Sequence, residues 1–175
     1  MQFITLDKFL NNQAFFIQEA KSGKTFIYPT DTVYGIGWIY TPDMVDKIFA
    51  IKQRDVKKFF SVIAPNFDWI WKEYPEANIE ALKIYLNTYH GVTYIFDYAQ
   101  PGVRIIKHPF QTFVENLSEP FITTSCNLSG EPVLIDIQNI PTELSNRIDY
   151  IIDDWILNGK PSVLIDLIEN KIIER

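Results

Sequence analysis

Residues 25–38 read TFIYPTDTVYGIGW, and this stretch sets the tightest limits on what the chain can become. Thr25-Phe26-Ile27-Tyr28 is a β-prone apolar run, and Pro29 ends its ladder because proline has no N–H to donate. Thr30, Asp31 and Thr32 follow, and Val33-Tyr34-Gly35-Ile36-Gly37 resumes an extended pattern. Small polar groups between two apolar strands bond to backbone or to a ligand but add little core. Gly35 and Gly37 are two residues apart, so both open the same face of a strand to close approach by a ligand or a neighbouring strand. Two readings stand at this point: a hairpin turn whose polar side chains satisfy amides, or one wall of a ligand site.

The length of 175 residues suits one domain spanning 1–175, with a core large enough to be stable. Thirteen Phe, nine Tyr and four Trp supply bulk for that core. The formal charge of −6 argues against tight, sequence-independent binding to a nucleic-acid backbone, although a local group of cations could still hold a small polyanion. A single cysteine, Cys126, excludes an intramolecular disulfide and a cysteine-based zinc cluster and suits a reducing compartment. The N-terminal MQFITLDKFLNNQ lacks the pattern of a secretion signal, and no stretch approaches membrane-spanning length, so a cytoplasmic location with no membrane contact is expected.

Apolar spacing predicts an amphipathic helix over 7–21, stopped at Gly23, and another after Thr41-Pro42. Further helices are expected over 66–72, 76–88, 109–117 and 141–147. Strands are expected over 59–64, 92–97, 102–106, 121–125, 150–153 and 162–167. Strands and helices alternate, yet hairpin-like joins also occur. The expected fold is therefore α/β, with an open twisted mixed parallel and antiparallel sheet and helices packed on it.

Three places could carry chemistry besides the opening stretch. Lys52, Arg54 and Lys58 gather where a helix gives way to a strand; they form an anion site, or they are solvated cations at the negative end of the helix dipole. Thr123-Thr124-Ser125-Cys126-Asn127-Leu128-Ser129-Gly130 collects hydroxyls and an amide at a strand's carboxyl end, where phosphate oxygens could be cradled or a turn simply capped. Ser125 has no GxSxG context, and His90 and His108 lack metal-ligand spacing, so neither a catalytic triad nor a metal site built from protein side chains is expected. His108, before Pro109, reads as structural. Asp31 reads as a solvated or amide-bonding turn carboxylate rather than a catalytic base.

In order, the chain carries YPTDTVYGIG at 28–37, KQR at 52–54 with Lys58, FSVIA at 60–64, GVR at 102–104 with HP at 108–109, TSCNLSG at 124–130 and PSVLIDL at 161–167. This series resembles the YrdC-like family of threonylcarbamoyl-AMP synthases over roughly the whole chain. The first block and the S-x-N-x-S-G block are the specific ones. The chain departs from the family pattern at Tyr89-His90-Gly91-Val92-Thr93, where family prolines are missing, at Cys126 and Phe59, and near the C-terminus, where Arg175 stands off the usual arginine spacing.

The resemblance implies a YrdC-like domain with a concave cationic cleft. It also implies a nucleotidyltransferase that joins L-threonine, bicarbonate and ATP, with Mg²⁺, into threonylcarbamoyl-AMP and pyrophosphate. A partner transferase complex would then modify tRNA, with at most a weak or transient tRNA contact by this chain. By position, Thr30, Thr32, Lys52, Arg54 and Ser61 would bind threonine and bicarbonate. Lys52, Arg54, Lys58, Arg104, Ser125, Asn127 and Ser162 would bind ATP, and Gly35 and Gly37 would leave clearance. Two alternatives use the same fold: an RNA-binding module for tRNA or double-stranded RNA on the concave surface, and carbamoyl-adenylate chemistry.

Overall fold

The computed structural model describes residues 1–41, 60–128, 130–157 and 159–174. Among these, the strands are β1 Gln2–Thr5, β2 Phe26–Tyr28, β3 Gly35–Gly37, β4 Ser61–Ile63, β5 Val92–Ile95, β6 Gly102–Arg104, β7 Phe121–Ser125, β8 Tyr150–Asp153, β9 Val163–Asp166 and β10 Lys171–Ile173. They form one sheet in the order β1-β8-β2-β3-β7-β4-β6-β5-β9-β10. Parallel pairs (β1·β8, β2·β8, β4·β6, β5·β9) mix with antiparallel ones (β2·β3, β3·β7, β4·β7, β5·β6, β9·β10), which is the expected sheet class.

Strand alternation sends successive side chains to opposite faces. Ile27, Val62 and Ile122 enter one core, while Phe26, Ile63 and Phe121, their chain neighbours, enter another. The first core is covered by α3 Phe67–Glu73 through Ile70, by α4 Ile79–Thr88 through Leu82 and Leu86, and by α6 Thr142–Ser145 through Leu144. The second is covered by α1 Leu6–Asn11, α2 Gln13–Lys21 and α5 Gln111–Leu117. Its centre is aromatic: Phe9 lies 4.8 Å from both Phe16 and Phe113 and 5.5 Å from Phe110. Each such ring, fully buried, contributes about 1.5–3 kcal/mol, so the aromatic residues hold these helices on the sheet.

Several elements differ from the expectation. The helix over 7–21 is two helices, starting one residue earlier and breaking at Asn12, whose side-chain amide donates to the Lys8 carbonyl at 2.8 Å. An asparagine that bonds local backbone competes with the helical ladder. Thr5 caps the first helix, and Asn66 and Asn78 cap α3 and α4 by accepting from the Trp69 and Ala81 amides at 2.8 and 3.1 Å. The helix expected from 76 therefore begins at Ile79, because residues 74–78 form the turn that precedes its cap. The strands over 121–125 and 150–153 have the expected bounds, the helix expected over 66–72 is shifted by one residue to Phe67–Glu73, and the remaining expected elements are shorter by one to three residues in all. β1 and β10, at the two edges, had no sequence signal of their own: β1 buries only Ile4, and β10 buries nothing. The helix expected after Thr41-Pro42 lies outside the described residues.

Candidate active site

β7 is the seam on which the site is built. It pairs with β3 on one side, Gly35 opposite Ser125, and with β4 on the other, Ser61 opposite Thr123. Beyond β4, Ile63 pairs with Arg104 of β6. This register brings hydroxyls from sequence-distant blocks to one end of the sheet, where they line a cavity of ≈270 Å³. Of the residues expected to bind substrate, Thr32, Ser61, Arg104, Ser125 and Ser162 all stand in its wall. Thr93, Thr123 and Thr124 join them, and Val33, Phe60, Val133 and Pro161 supply the apolar part.

Thr30 sits behind this wall rather than in it. Its hydroxyl donates to the Val33 carbonyl at 2.7 Å, accepts from the Thr32 amide at 3.1 Å and lies 2.9 Å from the Thr32 hydroxyl. With its one proton on Val33, Thr30 receives the proton of Thr32, which fixes the orientation of the Thr32 hydroxyl. Asn127 accepts from the Ser125 hydroxyl at 2.7 Å and donates to the Glu131 carbonyl at 2.7 Å. It lines a second cavity, of ≈330 Å³, that shares Val133 with the first. On the far wall, Thr93 and Ser162 pair hydroxyl to hydroxyl at 2.8 Å. Lys52, Arg54, Lys58, Ser129 and Arg175 lie outside the described residues.

The clearance left by Gly35 and Gly37 is taken by protein. A Cβ on Gly37 would stand 1.7 Å from the Ile122 carbonyl oxygen, and one on Gly35 would stand 3.1 Å from the Tyr28 ring. The Tyr28 hydroxyl crosses this bare face to donate to Ile122 at 2.8 Å, and its ring stacks on Phe110 at 4.2 Å. Burial pushes the Tyr28 phenol pKa well up, so it stays a neutral donor. Of the two approaches foreseen for the glycines, the neighbouring strand is the one observed.

Asp31 bonds a backbone amide, one of the two expected readings, but it is buried rather than solvated and is also paired with a cation. One of its oxygens accepts from Arg104 Nη2 at 2.7 Å and the other from the Lys107 amide at 3.0 Å, and its side chain is 3% exposed. Arg104 Nη2 also reaches the Thr32 hydroxyl at 3.3 Å. Gly91 makes room for this group, since a Cβ there would lie 2.5 Å from Thr32 Cγ2 and 3.5 Å from Arg104 Nη2. His108 is structural, as expected. Its Nδ1 accepts from the Phe110 amide at 3.1 Å, which leaves Nε2 to donate to Asp154 at 2.9 Å. Among the described residues no group of three His, Cys, Asp or Glu is placed to hold a metal ion.

A family model described as telomere recombination, Sua5/YciO/YrdC, matches residues 18–175. The chain belongs to the Sua5/YciO/YrdC family. It is 28% identical over 170 residues to the threonylcarbamoyl-AMP synthase of Pseudoalteromonas translucida, covering 86% of this chain and 90% of that protein. Among solved structures, P. abyssi Sua5 complexed with L-threonine superposes with a TM-score of 0.78 at 22% identity, over 97% of this chain but 55% of that longer one. E. coli YciO gives 0.77 at 20% identity, over 99% of this chain and 93% of that one. At these identities the two structures establish the common fold.

The site residues not named from sequence are Asp31 as an ion-pair partner, Gly91 and Thr93. Thr123 and Thr124 stand in the wall as part of the small-polar run that the sequence marks around Ser125. Thr93 had only strand alternation to mark it. Nothing local to Asp31 pointed to Arg104, 73 residues away.

Proposed function

We propose that this chain is an L-threonylcarbamoyladenylate synthase. The observation that carries the reading is the ≈270 Å³ cavity itself, into which the family's separate motif blocks deliver Thr32, Ser61, Arg104, Ser125 and Ser162. A relative named threonylcarbamoyl-AMP synthase, matched over nearly its full length, supports it. So does a structural neighbour complexed with L-threonine.

The chemistry required of such a site suits these residues. The threonine amine adds to the carbon of carbon dioxide, derived from bicarbonate, and loses a proton to give a carbamate. A carbamate oxygen then attacks the α-phosphorus of ATP, forming the P–O bond of the mixed anhydride as the bond to pyrophosphate breaks. Both partners are anions, so the site must offset their repulsion. Arg104 supplies one cation at the wall, and Lys52, Arg54 and Lys58 are assigned the rest. Hydroxyls and amides around Ser125 receive phosphate oxygens, and the Thr32 hydroxyl faces threonine. Among the described residues the wall carries no carboxylate cluster, and Mg²⁺ would be supplied with the nucleotide, where it would offset phosphate charge. No step needs a protein nucleophile. The product passes to a transferase complex acting on tRNA.

The test is pyrophosphate release by the purified, folded chain. Release is expected only when threonine, bicarbonate and ATP–Mg²⁺ are present together. Release independent of threonine, or none at all, would overturn the reading.

A further inference from the structure

We propose that Asp31 is a positioning residue that acts through Arg104, holding its guanidinium in the one orientation the substrate site requires; this rests on the synthase reading of the cavity. Arg104 is the only ionisable side chain among the described residues lining the cavity, and it is 7% exposed. A buried cation is costly unless paired, and a buried ion pair is seldom more stabilising than apolar residues of the same volume. The pair therefore calls for a reason beyond stability.

Geometry supplies one. Asp31 takes Arg104 Nη2 at 2.7 Å with one oxygen and the Lys107 amide at 3.0 Å with the other, so the carboxylate is fixed by the same segment that follows Arg104 in the chain. Lys107 is itself anchored through Nζ to the Tyr89 carbonyl at 2.8 Å. Thr32 bounds Nη2 at 3.3 Å, and Gly91 admits Thr32 and Nη2 to the same corner. Nη2 of the guanidinium is thus spoken for. Nε, on the same edge of the group, is buried with no hydrogen-bond partner among the described residues, so the protein there uses less than the full donor capacity of Arg104. Asp31 touches no substrate in this scheme; it fixes Nη2 and so holds the guanidinium in one orientation at the cavity wall.

A double-mutant cycle tests this. Asp31→Asn, Arg104→Gln and the double variant are compared with the parent for KM of threonine and ATP, for kcat and for denaturation midpoint. Positioning predicts that Asp31→Asn raises KM about tenfold in the parent but less than about twofold in the Arg104→Gln background, because the residue it acts through is gone. A purely structural role predicts a lower midpoint with unchanged KM in the folded fraction. That result, or an equal KM rise in both backgrounds, would overturn the proposal. If Asp31→Asn alone fails to fold, the double variant, which leaves no unpaired buried charge, is compared with Arg104→Gln: equal KM supports positioning and a further tenfold rise overturns it. A parent that releases no pyrophosphate would overturn the synthase reading, whereas an active parent with an additive cycle overturns only the role of Asp31.

Discussion

Tyr28 lies where the side chains of Gly35 and Gly37 would otherwise be: its hydroxyl is 3.1 Å from the position a Gly37 Cβ would take and donates to the Ile122 carbonyl one strand further on. One side chain from β2 thus spans β3 to reach β7, and the seam that carries the site depends on the two glycines being bare.

Substitutions at these glycines should therefore differ in severity. Gly37→Ala drives a methyl to 1.7 Å from a backbone oxygen, which cannot yield without moving β7. Gly35→Ala meets the Tyr28 ring and the Thr123 hydroxyl at 3.1 and 3.2 Å, contacts that adjust by small shifts. Urea denaturation should show Gly37→Ala destabilised by about 3 kcal/mol or more and Gly35→Ala by about 1–2 kcal/mol. Equal effects would mean that the β3–β7 seam is more pliable than its register implies.

Gly91→Ala should separate binding from stability. The added methyl would lie 2.5 Å from Thr32 Cγ2, so Thr32 must turn and give up its contacts with Arg104 and Thr30. A rise of about tenfold in KM for threonine is expected, with a thermal midpoint within a few degrees of the parent. An unchanged KM would place the threonine site away from Thr32.

The cation cluster is decided by Lys52→Ala combined with Arg54→Ala. If these residues hold substrate anions, calorimetric affinities for ATP and threonine should each fall by about tenfold or more while circular dichroism stays that of the parent. Parent-like affinities would return the cluster to solvated cations at a helix end.

Asp149 gives the acid limb of the stability profile a source. Burial by itself would raise its carboxyl, but the Thr25 amide at 2.9 Å, the Thr25 hydroxyl at 2.8 Å and the Lys24 ammonium at 3.1 Å together hold it below the usual value. A group whose folded pKa lies below its unfolded value, about 3.9 for aspartate, adds stability above that pH and loses it as pH falls through the folded pKa. Asp149→Asn should therefore lower the midpoint at pH 7 and flatten its decline below about pH 4. A decline as steep as the parent's would assign the acid limb to other carboxylates.

How far each feature could be read from the chain depended on the reach of the interactions that make it. β7 and β8 were legible to the residue because alternation or apolar runs and turn residues bound them locally. The break at Asn12 was hidden because an asparagine on a helix surface leaves the apolar spacing of 7–21 intact. The edge strands β1 and β10 were silent because pairing with β8 and β9, not burial of their own side chains, makes them strands. The site was legible as a set of residue types, hydroxyls beside bends, but not as a surface.

The sequence by itself determined the sheet class, the family and which blocks carry the polar residues of the site, since propensity, patterning and motif order are properties of neighbours along the chain. Only the tertiary structure decided that Gly35 and Gly37 make room for Tyr28 rather than for a ligand, and that Asp31 belongs to Arg104. Both depend on contacts between segments brought together by strand order, and a buried charge finds its partner by position in space, not by position in the chain.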